Sequence, residues 1–197
     1  MNSRAMTSLQ LVYETHATTT DNEAGIATGW LPGTLSATGR RQARELGDRR
    51  RNDGIAAVFT SDLHRAMDTA RIAFTGTTLP IHHDPRLREC NYGRLNGCPQ
   101  RALATLRVRH IDEPFPGGQS YREVLAATED FLTDLANQWS GNRILLIAHS
   151  ANRWALDCLL AGARLEDLVQ APAYWQPGWE YTLAPPDQPG EPSRSQH

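Results

Sequence analysis

The stretch Leu9-Gln10-Leu11-Val12-Tyr13-Glu14-Thr15-His16-Ala17-Thr18-Thr19-Thr20-Asp21-Asn22 changes character at its midpoint. Leu9 to Tyr13 is a short apolar run of residue types that favour a buried strand. From Thr15 onward the chain turns to hydroxyls and small residues with no apolar period. A buried strand that empties into a polar loop is where open α/β proteins place their chemistry, at the carboxyl ends of parallel strands. His16 stands at that exit.

Two further stretches repeat the pattern. Ile55 to Phe59 is a second apolar run, followed by Thr60-Ser61-Asp62 and a helix to about Phe74, with Ser61 or Asp62 as its cap and Arg65 in its first turns. Arg143 to Ala148 is the most strand-like run, and it empties into His149-Ser150-Ala151-Asn152 ahead of a helix from about Arg153 to Leu160. Residues 9–13, 55–59 and 144–148 are therefore expected to be parallel strands of one sheet, bringing His16, Arg65 and His149 to one edge.

The intervening segments supply the helices. Asp21 to Thr34 is a loop punctuated by glycine and proline, after which Ser36 caps an arginine-rich helix to about Arg51. Pro80 to Pro85 is a short extended piece, and Leu87 to Gly97 is irregular. A helix is expected over Gln100 to His110. Ser120 and Glu123 form a capping box for a long helix to about Trp139. A short helix over Leu165 to Gln170 and an edge strand over Trp179 to Leu183 follow. Strands alternating with helices predict an α/β protein, a three-layer α/β/α sandwich with a mainly parallel central sheet, formed as one domain by residues 1–183. The proline-rich residues 184–197 are expected to lack stable structure.

Composition removes several chemistries. All 20 basic residues are arginine, so Schiff-base, P-loop and general-base lysines are impossible. Guanidinium groups, permanently charged and planar, suit phosphate and carboxylate recognition. A formal charge of -2 with 40% hydrophobic residues shows no basic excess for nucleic acid. Cys90, Cys98 and Cys158 form no CxxC pair, which argues against a disulfide framework or a zinc site. His82, His83 and Asp84 are adjacent on an extended chain and point to alternating sides, so they converge poorly on one ion. No metal or other cofactor is expected. The first eight residues lack a signal peptide's apolar stretch, and no run reaches membrane-spanning length. The expectation is a cytoplasmic protein with neither membrane nor nucleic-acid partners, a monomer or homodimer acting on a small phosphorylated substrate.

Two neutral imidazoles, a guanidinium and a carboxylic acid make a set suited to phosphoryl transfer. A neutral histidine nitrogen can attack phosphorus and pass the group on to water. Arginine and helix N-terminal amides stabilise the charge spread over three oxygens. A leaving alkoxide needs a proton, and Glu89, in its irregular segment, is the candidate acid.

These motifs together resemble the histidine phosphatase superfamily, the phosphoglycerate-mutase-like enzymes. His16, Thr19 and Asn22 keep the register of the family's opening signature, and Thr28-Gly29-Trp30 resembles its substrate loop. Thr60 to Ala70 is close to the second signature, whose arginine is Arg65. Leu87 to Gly93 matches the segment that supplies the proton donor. Phe115-Pro116-Gly117-Gly118-Gln119-Ser120 precedes the long helix as in the family, and Ile147-Ala148-His149-Ser150 corresponds to the second histidine. The resemblance spans residues 9 to 160. It implies a phosphoglycerate-mutase-like fold and hydrolysis of phosphomonoesters through a phosphohistidine on His16. Glu89 would be the proton donor, Arg65 and His149 the phosphoryl binders, and Asn22, Thr28, Gly29, Tyr92 and Ser150 the substrate contacts.

The chain departs from the pattern at Thr15, where the family has an arginine that grips the phosphoryl group, at Ala17 and at Ser150, where it has glycines. Arg88, Arg94 and Arg153 are candidates to replace the lost charge. A mutase would use the same His16, Arg65, Glu89 and His149, and a phosphatase fold that only binds phosphorylated ligands is the further alternative. An α/β-hydrolase elbow around Ser150 lacks its flanking glycines, at Ala148 and Asn152, and the only later histidine is His197.

Overall fold

The structure is a computed structural model that describes residues 7–172 and 176–185. Its elements run β1 (Leu9–Thr15), α1 (Thr20–Glu23), β2 (Ile26–Ala27), α2 (Ala37–Arg50), β3 (Ala57–Thr60), α3 (His64–Ala73), β4 (Ile81–His83), β5 (Cys98–Pro99), α4 (Gln100–Ala104), α5 (Tyr121–Trp139), β6 (Arg143–Ala148), α6 (Ser150–Ala161), α7 (Leu165–Gln170) and β7 (Trp179–Leu183). The main sheet has the order β4-β3-β6-β1-β7. β6 pairs parallel with β1 and with β3, β3 pairs parallel with β4, and only β7 runs antiparallel, along β1. The three expected strands are thus parallel neighbours, with β6 in the centre.

Strand alternation sorts the apolar side chains into two layers. Leu9, Leu11, Tyr13, Ile144, Leu146 and Ala148 face Phe131, Leu132 and Leu135 of α5 and Leu156 of α6. Val12, Val58, Leu145 and Ile147 face Leu46 of α2 and Ala70 and Ala73 of α3. Each large side chain so buried contributes about 1.5–3 kcal/mol, which fixes the sheet between the two helix pairs. A third cluster, including Cys90, Tyr92, Leu103, Phe115, Tyr121 and Trp154, backs the loops beyond the strand ends. No helix among the described residues is long and apolar enough to cross a membrane.

The helix ends differ in three places. α3 is capped by Leu63 with no side-chain bond, because Ser61 Oγ is engaged elsewhere. The helix expected over 100–110 ends at Ala104. His110 stacks on Phe115 at 4.0 Å and its Nδ1 bonds Glu113 O, drawing residues 105–110 into turns. α6 begins at Ser150, three positions early, since Asn152 Oδ1 accepts the His149 amide and makes His149 the cap. Ser36 and the Ser120–Glu123 box cap α2 and α5 as expected. The proline-rich segment falls outside the described residues from 186 onward.

Candidate active site

β1 delivers His16 to the carboxyl edge, where its amide still bonds Ala148 O of β6 at 3.0 Å. The imidazole is then oriented by its own loop. His16 Nδ1 lies 2.8 Å from Ala17 O, an acceptor only, so Nδ1 carries the proton and Nε2 the lone pair. Arg65 Nε donates to that Nε2 at 3.3 Å. Burial, reinforced by the Arg65 charge, holds the His16 imidazole far below its ordinary value, at about 3. His16 is neutral at physiological pH.

Arg65 lies in the first turn of α3 and is 2% exposed. Its Nη2 donates to Gly29 O at 2.8 Å, which aims the guanidinium along the loop bearing Thr28 and Gly29. Gly29 has φ +55°, and a Cβ there would stand 1.9 Å from Asn96 Oδ1, so only glycine fits. Trp30 closes this loop onto the Glu89 segment, its indole N–H donating to Glu89 O at 2.6 Å.

His149 sits at the end of β6, fully buried, with its ring centroid 4.9 Å from that of His16. Its Nε2 bonds Ser61 Oγ at 2.7 Å, and Tyr13 Oη donates to its carbonyl at 2.5 Å. Its Nδ1 has no hydrogen-bond partner among the described residues. Burial, then Arg65, then His16 push its pKa well down. Glu89 is buried at the opposite wall. Its Oε1 accepts the amides of Cys90 at 2.8 Å and Ala151 at 3.3 Å, yet burial outweighs both and raises its pKa. With Oε1 so occupied, Oε2 is the oxygen left to carry a proton.

Three cavities touch His16, the third of them, about 50 Å³, beside Gln42 and Arg49 of α2. The first, about 90 Å³, is lined by His16, Asn22, Thr28, Gly29, Arg65, Glu89, Tyr92 and Ser150, among others. The second, about 310 Å³, is bordered by Thr15, Trp154, Trp179 and Arg153, among others. His16, Asn22, Arg107, Ser150 and Trp154 line both. The expected residues are therefore brought together, with His149 directly behind His16 rather than on the cavity wall. Among the arginines considered for the lost charge, Arg88 forms a two-point pair with Asp62 and lies over Trp30, and Arg94 is exposed and lines neither cavity. Arg153 reaches the second cavity but is paired with Asp157. Arg107 was not legible as a site residue. It is one of three arginines in the 100–110 segment, and only its spacing of four from the buried Leu103 hints at an inward face. The histidines and aspartate at 82–84 end the outer strand β4 and line neither the first nor the second cavity: His82 stacks on Phe59 and His83 Nδ1 bonds Thr60 Oγ1.

Comparison with known proteins places this arrangement. The sequence profile of the histidine phosphatase superfamily (branch 1) matches residues 15–174. A protein of Enterobacter sp. (strain 638) named probable phosphoglycerate mutase GpmB is 32% identical over 174 residues, 84% of this chain and 77% of its own. The solved mycobacterial glucosyl-3-phosphoglycerate phosphatase complexed with VO3 superposes with TM-score 0.72 at 27% identity, covering 81% of this chain and 85% of that one. Bacillus stearothermophilus YhfR shares the fold, with TM-score 0.76 at 24% identity over 87% and 90% of the two chains. With the profile covering most of its length, this chain belongs to the histidine phosphatase superfamily.

Proposed function

We propose that the protein is a phosphomonoester hydrolase that works through a phosphohistidine on His16. The observation that carries this is the His16 tautomer: Ala17 O fixes the proton on Nδ1, and Nε2 faces Arg65 in a cavity that also holds Glu89. In the first step Nε2 attacks phosphorus and a P–N bond forms as the ester P–O bond breaks. Glu89 Oε2 gives its proton to the departing alkoxide. In the second step the Glu89 carboxylate takes a proton from water, whose oxygen attacks phosphorus and releases phosphate from Nε2. Arg65 neutralises charge on the equatorial oxygens. His149 lines neither the first nor the second cavity; its ring backs that of His16, centroid to centroid 4.9 Å, and holds the nucleophile in place. Asn22 spends its Oδ1 on the Thr19 amide, which leaves its Nδ2 to donate to substrate. Thr28, Gly29, Tyr92 and Ser150 line the rest of the first cavity.

Thr15 stands where the family's first arginine belongs, and it offers one neutral donor in place of a charged fork. The relatives named for phosphoglycerate mutase keep a mutase reading in view, since the same residues would serve it. The test is a trapping experiment. A labelled phosphomonoester should leave acid-labile phosphate on His16, and the label should pass to water. Label passing instead to a second hydroxyl of the substrate would favour the mutase, and no label on wild type would leave a protein that only binds.

A further inference from the structure

We propose that Arg107 supplies the second guanidinium of the phosphoryl pocket, from the turn after α4 rather than from the position before His16. This rests on the phosphohistidine reading above. His16 lines three cavities; the third holds Arg49, already paired with Glu14, so the phosphoryl group is assigned to the place where the first two join. Among the described residues four others share that boundary, and Arg107 is the one of these four with a charge. Arg65 lines the first cavity alone, so it covers one side of the group.

The condition of the Arg107 side chain is that of an unspent donor. Its Nε is buried with no hydrogen-bond partner among the described residues. It enters none of the ion pairs among them. Its guanidinium carbon lies 5.4 Å from the Trp154 ring centroid, a contact that holds the fork without consuming its donors. Its terminal nitrogens enter no hydrogen bond or ion pair among the described residues and are the donors an anion in the cavity would meet. The other arginines lining cavities at His16 are spent: Arg153 is paired with Asp157 and lies 5.2 Å over Trp179, and Arg49 is paired with Glu14. A dianion placed on His16 would thus lie between Arg65 and Arg107, while Thr15 leaves open the space bordering the second cavity.

Relocation of a charge makes a prediction that loss of a charge does not. Wild type, Arg107→Ala, Thr15→Arg and the double variant Thr15→Arg/Arg107→Ala are compared on p-nitrophenyl phosphate turnover and on orthovanadate affinity. Arg107→Ala should lower kcat/KM by about a hundredfold, weaken vanadate at least about tenfold, and be partly rescued by added methylguanidinium. The double variant should recover much of both losses, since it restores the guanidinium at the family's own position. Arg107→Lys, which keeps the charge but not the fork, should fall between. A folded Arg107→Ala protein within about threefold of wild type in both measurements would overturn the proposal. So would a loss that neither methylguanidinium nor Thr15→Arg relieves, which would make Arg107 a packing residue over Trp154. If Arg107→Ala does not fold, Arg107→Gln is judged by the same readouts. Wild type without turnover would sink the hydrolase reading separately, and vanadate affinity would still decide Arg107.

Discussion

Ser61 and His149, far apart in sequence, meet at 2.7 Å beneath the site, Oγ to Nε2. Ser61 Oγ also accepts the Leu63 amide at 3.3 Å. Whichever group donates in it, the Ser61–His149 bond fixes the ring's orientation and its tautomer. Ser61→Ala would strand a buried ring nitrogen at a cost of about 1–3 kcal/mol and release the tautomer. The expected outcome is a lower urea midpoint together with reduced kcat. A variant with unchanged kcat would show that the His149 tautomer is immaterial.

Glu89→Gln separates the acid from the rest of the machinery. Glutamine keeps the Oε1 bonds to the Cys90 and Ala151 amides but has no proton to give. Hydrolysis of alkyl phosphates should fall by about 10²–10⁴-fold, and that of p-nitrophenyl phosphate, whose leaving group needs no proton, much less. Equal losses on the two substrates would remove Glu89 from the proposed role.

The two buried imidazoles make stability depend on pH with a definite sign. Both are held neutral in the fold, His16 at about 3 against an ordinary 6.5, while the unfolded chain takes up protons near 6.5. Their contribution is complete above that value and is lost as pH falls from it toward His16's folded value. The loss amounts to at most about 2 kcal/mol per histidine by about pH 5, less for His16, which is partly open to the cavity. Urea midpoints at pH 7.5 and pH 5 should therefore differ, and His149→Gln should flatten the difference. A slope unchanged by that variant would show that His149 is not the source.

Gly39→Ala tests the support beneath the His16 loop. Helix propensity alone forecasts a gain of about 1 kcal/mol. Gly39, however, is where α2 meets the loop, and a Cβ would stand 1.9 Å from Thr18 O. The expected result is destabilisation of about 1–3 kcal/mol with lowered activity, read by chemical denaturation and p-nitrophenyl phosphate turnover. A more stable and fully active variant would mean that the loop moves aside freely.

Much of this was legible because local and long-range signals agreed. The strand runs at Leu9, Ala57 and Arg143 are apolar enough to demand burial, and each ends in a residue with chemistry. The capping box of Ser120 and Glu123 marks its helix within a residue. What escaped detection depends on partners far along the chain. Ser61 reads as a helix cap because its bond to His149 joins the ends of two neighbouring strands far apart in sequence. Arg107 looked like its neighbours Arg101 and Arg109, since nothing local tells a side chain lying over Trp154 from one in solvent. The early start of α6 escaped for the same kind of reason, in that His149 acts as cap only once Asn152 bonds its amide.

The central place of β6 has a consequence in time. β1 and β3 do not touch; the strand between them is the last of the parallel set to leave the ribosome. Until it arrives, both present bare edges, and His16 lacks the Ala148 carbonyl that anchors its amide. Assembly of such a sheet is non-local and correspondingly slow. A nascent chain arrested before Arg143 would hold His16, Arg65 and Glu89 and yet have no pocket, so the ability to bind vanadate should emerge abruptly as the β6 segment clears the exit tunnel.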